Sequence, residues 1–285
     1  MKNKFTTLFL VGVFGLLVLV GAFYYKSSQD VSPIKDTALV ISTSSNLKTV
    51  NPSQEDVSVT NLKKTSAEIA SEIREKNFEL LQSPRQITFA EALDKANYVS
   101  NLTKIRPAFL LAIFQEELAL EKFDMCYLTN LKTGDGVRVT DNMFKPKTMH
   151  PTRDLPPFIK IMKELGKDPL NTLITCPMSF GWGGAMGPAD FIPSTWMMYK
   201  KRVESVTKKP ADPWNIEDAF LAAGLFLADA GAKSKNSSGE RKAATIYFSG
   251  SANSPHTFYA DGALKIAEQI QKDIDVVEAL LPDMK

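Results

Sequence analysis

The chain has 285 residues, 44% of them hydrophobic, enough to bury a substantial core in one or two domains. Its 34 basic side chains face 32 acidic ones and no Lys/Arg stripe stands out, which argues against nucleic acid as a partner. Two His and two Cys are too few and too scattered for a zinc site, and no GxGxxG or GxxxxGK[ST] motif appears, so neither a metal nor a nucleotide cofactor is expected.

Residues 1–26 read as a membrane-spanning signal-anchor. Lys2 and Lys4 precede an apolar run from Phe5 to Tyr25, long enough to cross a bilayer at about 1.5 Å per residue. The lysines favour a cytoplasmic N-terminus, with the rest of the chain exported to the periplasm or cell-wall zone. Val20-Gly21-Ala22 also offers a cleavage site, and a cleaved chain would be secreted, but the apolar run is long for a signal peptide. Residues 27–61 are rich in Ser, Thr, Asn and Asp without any sustained period, as in a flexible tether. Over residues 62–86, the spacing of Ile69, Ile73 and Leu80 predicts an amphipathic helix from Leu62 to Leu81, either packed on the domain or extending a stalk.

Residues 87–285 form the domain proper, read as mainly α. Thr88 is placed to cap a helix carrying Ala92, Leu93, Ala96 and Val99. The next helix, Arg106 to Glu121, organises the rest. Pro107 suits its first position, where a missing N–H costs nothing. Leu110, Ile113, Phe114, Leu118 and Leu120 project onto one broad face, with Glu117 inside that face and Glu116 at its edge. A carboxyl among apolar side chains resists ionisation, as a general acid near neutral pH requires. The alternative is a glutamate paired to a Lys or Arg at the rim of a buried helix.

From Cys126 to Phe180 the chain reads as irregular, with Gly134-Asp135-Gly136 marking a turn and a short helix from about Leu155 to Gly166. Cys126 and Cys176 form an even pair on the exported side, which favours a disulfide over two buried thiols. The stretch from Gly181 to Trp196, GWGGAMGPADFIPSTW, combines glycines that permit a tight backbone with Trp182, a flat surface for a sugar ring. Asn215 caps a buried helix to Ala230. A short helix follows from Glu240 to Phe248, and a last one begins at Ser254-Pro255.

Four of these segments, in order, resemble the lytic murein transglycosylases of the lysozyme-like superfamily, most closely the membrane-bound B-type enzymes. GGAMGPADFIPSTW is similar to the family's GAMGPAQFIPSTW, and FLLAIFQEEL to its ALLAIxQEES. DPWNIEDAFLAAGLFLADAGA resembles the buried helix that follows, and AATIYFSG with Tyr259-Ala260-Asp261 the tyrosine-bearing last motifs. The resemblance implies a compact helical domain with a cleft for peptidoglycan glycan strands and no cofactor. Glu117 would be the catalytic acid, with Trp182, Met186, Gly187, Asp190, Phe191, Tyr247 and Tyr259 at the substrate. It further implies cleavage of the MurNAc–GlcNAc bond with a 1,6-anhydro ring as product, for cell-wall remodelling or for opening the wall to an envelope-spanning machine. Two positions depart from the family: Leu118 replaces its Ser or Thr, and Asp190 its Gln. Such changes also fit a lysozyme-type hydrolase that uses Asp190 to position water, or a non-catalytic peptidoglycan-binding scaffold.

Overall fold

The computed structural model describes residues 64–83, 85–120, 124–179 and 181–280. The expected anchor at 1–26 and tether at 27–61 lie outside them, and no helix among the described residues is long and apolar enough to cross a membrane. The described domain is mainly helical. Helix α1 (Ser66–Glu75) opens on a capping box, in which Thr65 Oγ1 accepts from the Glu68 N–H and Glu68 accepts from the Thr65 N–H. It ends sooner than the predicted Leu81, because Lys76 turns extended and the chain enters strand β1 (Asn77–Phe78). That strand pairs antiparallel with β2 (Ile87–Thr88), Asn77 opposite Thr88, and buries Phe78.

Helix α2 (Phe89–Thr103) starts where the sequence placed its cap, with a second capping box between Thr88 and Glu91. Helix α3 (Pro107–Leu120) follows and is the centre of the domain. Every side chain from Ala108 to Ile113 is fully buried, so the helix has no solvent face over that stretch. The one-sided reading of α3 therefore understates its burial: Glu116 is as enclosed as Glu117 rather than at an edge.

The stretch expected to be irregular holds a small antiparallel sheet of β3 (Met125–Leu128), β4 (Gly136–Arg138), β5 (Phe144–Lys145) and β6 (Ile174–Thr175), in the order β5–β4–β3–β6. Strands of two to four residues are too short to show an alternating pattern in sequence. Cys126 in β3 pairs across to Ile174, and its disulfide to Cys176 forms as expected, with the two Cα atoms 5.0 Å apart. Helix α4 (Leu155–Leu165) lies between β5 and β6 in sequence and stops at Gly166 in the left-handed conformation.

Helix α5 (Pro193–Thr207) starts on Pro193 directly after the Gly-rich stretch. Helix α6 (Ile216–Ala230) is capped by Asn215, whose side chain accepts from the N–H groups of Glu217 and Asp218. Helix α7 (Ser237–Ser249) begins before the expected Glu240 because Asn236 supplies a cap to Gly239. Helix α8 (Phe258–Leu280) begins after Thr257 rather than at Ser254. α8 packs along α3, and α2 and α6 also pack against α3, where Phe114 stacks on Phe220 at 4.2 Å. α1 docks on α8, so it belongs to the domain and not to a free stalk.

Candidate active site

Glu117 sits in the last turn of α3, near the negative end of the helix dipole, where a carboxylate is disfavoured. It is 5% exposed. Tyr259 of α8 donates its hydroxyl to Oε1 at 2.5 Å, and among the described residues that is the only hydrogen bond Glu117 receives. Oε2 has no partner among the described residues. Burial pushes its pKa well above the usual carboxylate range, the charge of Asp190 and then of Glu116 push the same way, and the Tyr259 bond partly opposes them. These surroundings favour the protonated form of the carboxyl.

Glu116 packs one turn further along α8. Its carboxyl lies against Gly262, where a Cβ would sit 2.3 Å from Oε1, so a larger residue there would displace the carboxyl. No cation pairs with it among the described residues, and burial alone lifts its pKa to about 7. Tyr259 and Gly262 are one turn apart on α8 and so seat the two neighbouring carboxyls of α3.

The Gly-rich stretch forms the opposite wall. Met186 donates its N–H to Phe191 at 3.0 Å, and Asp190 donates its own to Gly187 at 3.1 Å, closing a tight turn. Gly187 adopts φ +64, and a Cβ there would lie 1.9 Å from the Pro213 carbonyl oxygen, so the turn seats directly on the backbone before α6. Asp190, at φ +50, is a non-glycine residue in the left-handed region. Three side chains pin this turn. Gln82 accepts from the Gly187 N–H at 3.1 Å and donates to the Ala185 carbonyl at 3.3 Å. Tyr247 of α7 donates to the Ala189 carbonyl at 2.5 Å, and Thr175 of β6 accepts from the Ala185 N–H at 3.0 Å.

Between the walls runs a cleft of about 470 Å³. Of the residues singled out in sequence, Glu117, Trp182, Asp190, Phe191 and Tyr247 line it together. Trp182 leans on His150 with ring centres 4.7 Å apart, and Phe191 contacts Tyr247 at 5.4 Å. Met186, Gly187 and Tyr259 do not line it. Met186 and Tyr259 are fully buried, the first as core and the second behind the acid, and Gly187 faces Pro213. Burial raises Asp190 to about 7. Tyr247 and Tyr259 are pushed well above the ordinary phenol value, by burial first and then by the nearby carboxyls, so both remain donors.

Sequence reasoning missed Gln82, Phe248 and Arg153. Phe248 lines the cleft and stacks on Tyr259 at 5.1 Å. Arg153 is the one cation among the lining side chains, held at the rim by the fully buried Asp154 at 2.7 Å. Asp154 also accepts from the Ser194 hydroxyl at 2.6 Å, tying α4 to the start of α5. A long-range pin such as Gln82, 105 residues from Gly187, leaves no local signal. No family model, curated protein or solved structure matches the chain.

Proposed function

We propose that this chain is a peptidoglycan lytic transglycosylase that cleaves the bond between N-acetylmuramic acid and N-acetylglucosamine. The observation that carries the reading is Glu117: a buried carboxyl shifted towards its protonated form, bonded among the described residues only through Oε1, at the wall of an open cleft furnished with Trp182, Phe191 and Tyr247. Flat aromatic faces suit pyranose rings, and a retained proton suits a glycosidic oxygen. Glu117 gives its proton to that oxygen as the C1–O bond breaks, and the substrate's own 2-acetamido group stabilises C1. The Glu117 carboxylate then takes the proton of the C6 hydroxyl, whose oxygen attacks C1 and closes the anhydro ring. Water takes no part. The Cys126–Cys176 disulfide supports an oxidising compartment outside the cytoplasm, as the apolar N-terminal segment also does. In this reading that segment tethers the enzyme to the membrane.

Mass spectrometry of the fragments that the full-length protein releases from purified peptidoglycan tests this directly. Fragments one water lighter than their reducing counterparts are expected. Reducing ends would make the protein a hydrolase. Binding without release would make it a scaffold.

A further inference from the structure

Glu117 and Asp190 face the same cleft but are left in different states by their surroundings. Glu117 has a donor in Tyr259; Asp190 Oδ1 is buried and has no hydrogen-bond partner among the described residues. Leaving an enclosed carboxylate oxygen without a donor is costly, and native proteins seldom do so. On a cleft wall, such an atom points to a donor that arrives with the ligand. Its aim is not incidental. The left-handed backbone at Asp190, the Met186–Phe191 closure, Gly187 seated on Pro213, and the Gln82 and Tyr247 bonds together fix the residue that carries it.

A carboxylate only accepts, so the missing group is an O–H or an N–H. An amino sugar offers both. One of them changes during the reaction: as the acetamido carbonyl oxygen bonds to C1, positive charge spreads onto the amide nitrogen, and its N–H becomes a stronger donor. A fixed anion there binds the charged state more tightly than the substrate, which is the condition for catalysis.

We propose that Asp190 is a catalytic residue that accepts the N–H of the 2-acetamido group on the sugar whose glycosidic bond is cut, aiming the carbonyl oxygen at C1. This rests on the transglycosylase reading and names the substrate feature its second carboxyl recognises. The bonds balance. The Glu117 proton goes to the leaving oxygen, and the C1–O pair leaves with it. The acetamido oxygen forms the new bond to C1, giving a bicyclic cation beside the Asp190 anion. Attack by O6 returns that electron pair to the acetamido group while Glu117 recovers a proton. Asp190 neither gains nor loses one.

The groups around Asp190 allow this division. Glu117 faces it from α3 and Tyr247 from α7, with Arg153 on the cleft rim and Tyr259 and Glu116 behind the acid. Burial raises Asp190 to about 7, and its charge in turn pushes Glu117 towards the protonated form.

Calorimetry with the thiazoline of N-acetylglucosamine, a stable mimic of the bicyclic ion, and with chitotriose as the unreacted-sugar control, tests the assignment on the full-length protein at pH 8. Asp190→Ala is expected to weaken thiazoline binding about 100-fold and Asp190→Asn about 10-fold, from the loss of a charge-assisted bond. Chitotriose binding should change less than about 5-fold by the same reasoning on an uncharged N–H. Wild-type thiazoline affinity in both variants would overturn the proposal. Equal loss of both ligands would make Asp190 a structural residue and would also overturn it. A fall in reducing ends and a rise in anhydro ends with Asp190→Asn would reassign Asp190 to positioning water. Wild-type protein that binds neither sugar would remove the transglycosylase reading itself, and this inference with it.

Discussion

At the N-terminal end of α3, Arg106 donates through Nε and Nη2 to the two oxygens of Glu240, at 2.9 and 2.7 Å, and Glu240 is 2% exposed. At the C-terminal end, Glu116 and Glu117 are enclosed to nearly the same degree, 6% and 5%, and meet no cation among the described residues. Burial is therefore not what separates these carboxyls. One is paired and locked by a planar fork, which fixes the start of α3 against α7. The others meet no counter-charge among the described residues, and burial shifts both towards the protonated form. A single helix thus carries a paired carboxyl at one end and, at the other, the unpaired ones that the proposed chemistry needs.

The comparison breaks first at Glu117. Glu117→Gln keeps the shape and removes the transferable proton, so cleavage should fall at least about 1000-fold while the melting temperature holds or rises; a fragment-release assay beside a thermal melt checks both. If cleavage survives, the unpaired end of α3 is not the acid. Breaking the Cys126–Cys176 bridge, which closes a 50-residue separation, should cost roughly 4 kcal/mol in urea unfolding. Arg106→Met strands the buried Glu240 charge at the ordered end. It should cost about 3 kcal/mol and leave the pH profile of the remaining activity in place.

Tyr259→Phe removes the bond that favours the ionised form of Glu117. The alkaline limb of the activity profile should move to higher pH, with a loss of about tenfold in rate. The smallest effect is at Glu116. Its folded pKa, about 7, lies above its ordinary 4.5, so the native state binds the extra proton and stability declines as pH rises from about 4.5 through 7. Glu116→Gln removes that decline. Its melting temperature should match wild type at pH 4 and exceed it above pH 7.

Much of this arrangement is legible in the sequence, and the exceptions share a physical cause. Thr88, Pro107 and Asn215 mark helix starts correctly because capping is a local transaction between a side chain and the next three N–H groups. Glu117 is legible because an acid inside an apolar period is an anomaly on one helix. Glu116 is not: its burial depends on Gly262, which lies far away in the chain and whose missing side chain is what makes room. The Cys126–Cys176 bridge follows from a count of two, whereas the strands that bring the cysteines together are too short to carry a period. Met186 sits in the most recognisable motif and contacts no cleft, since a turn that presents Asp190 and Phe191 must bury its other side chains to hold its shape.

One consequence lies in Thr175. It is the residue before Cys176, and it accepts the N–H groups of Gly184 and Ala185, through its carbonyl and hydroxyl, while donating its own N–H to Ala185. The cleft wall that holds Asp190 is thus stitched to a residue adjacent to the cross-link. On the proposed export, a newly made chain is still reduced and gains the covalent fastening behind that wall only once outside the cytoplasm. On the proposed function, that order works as a safety catch: the proposed cutting edge is finished beside the wall it would cut.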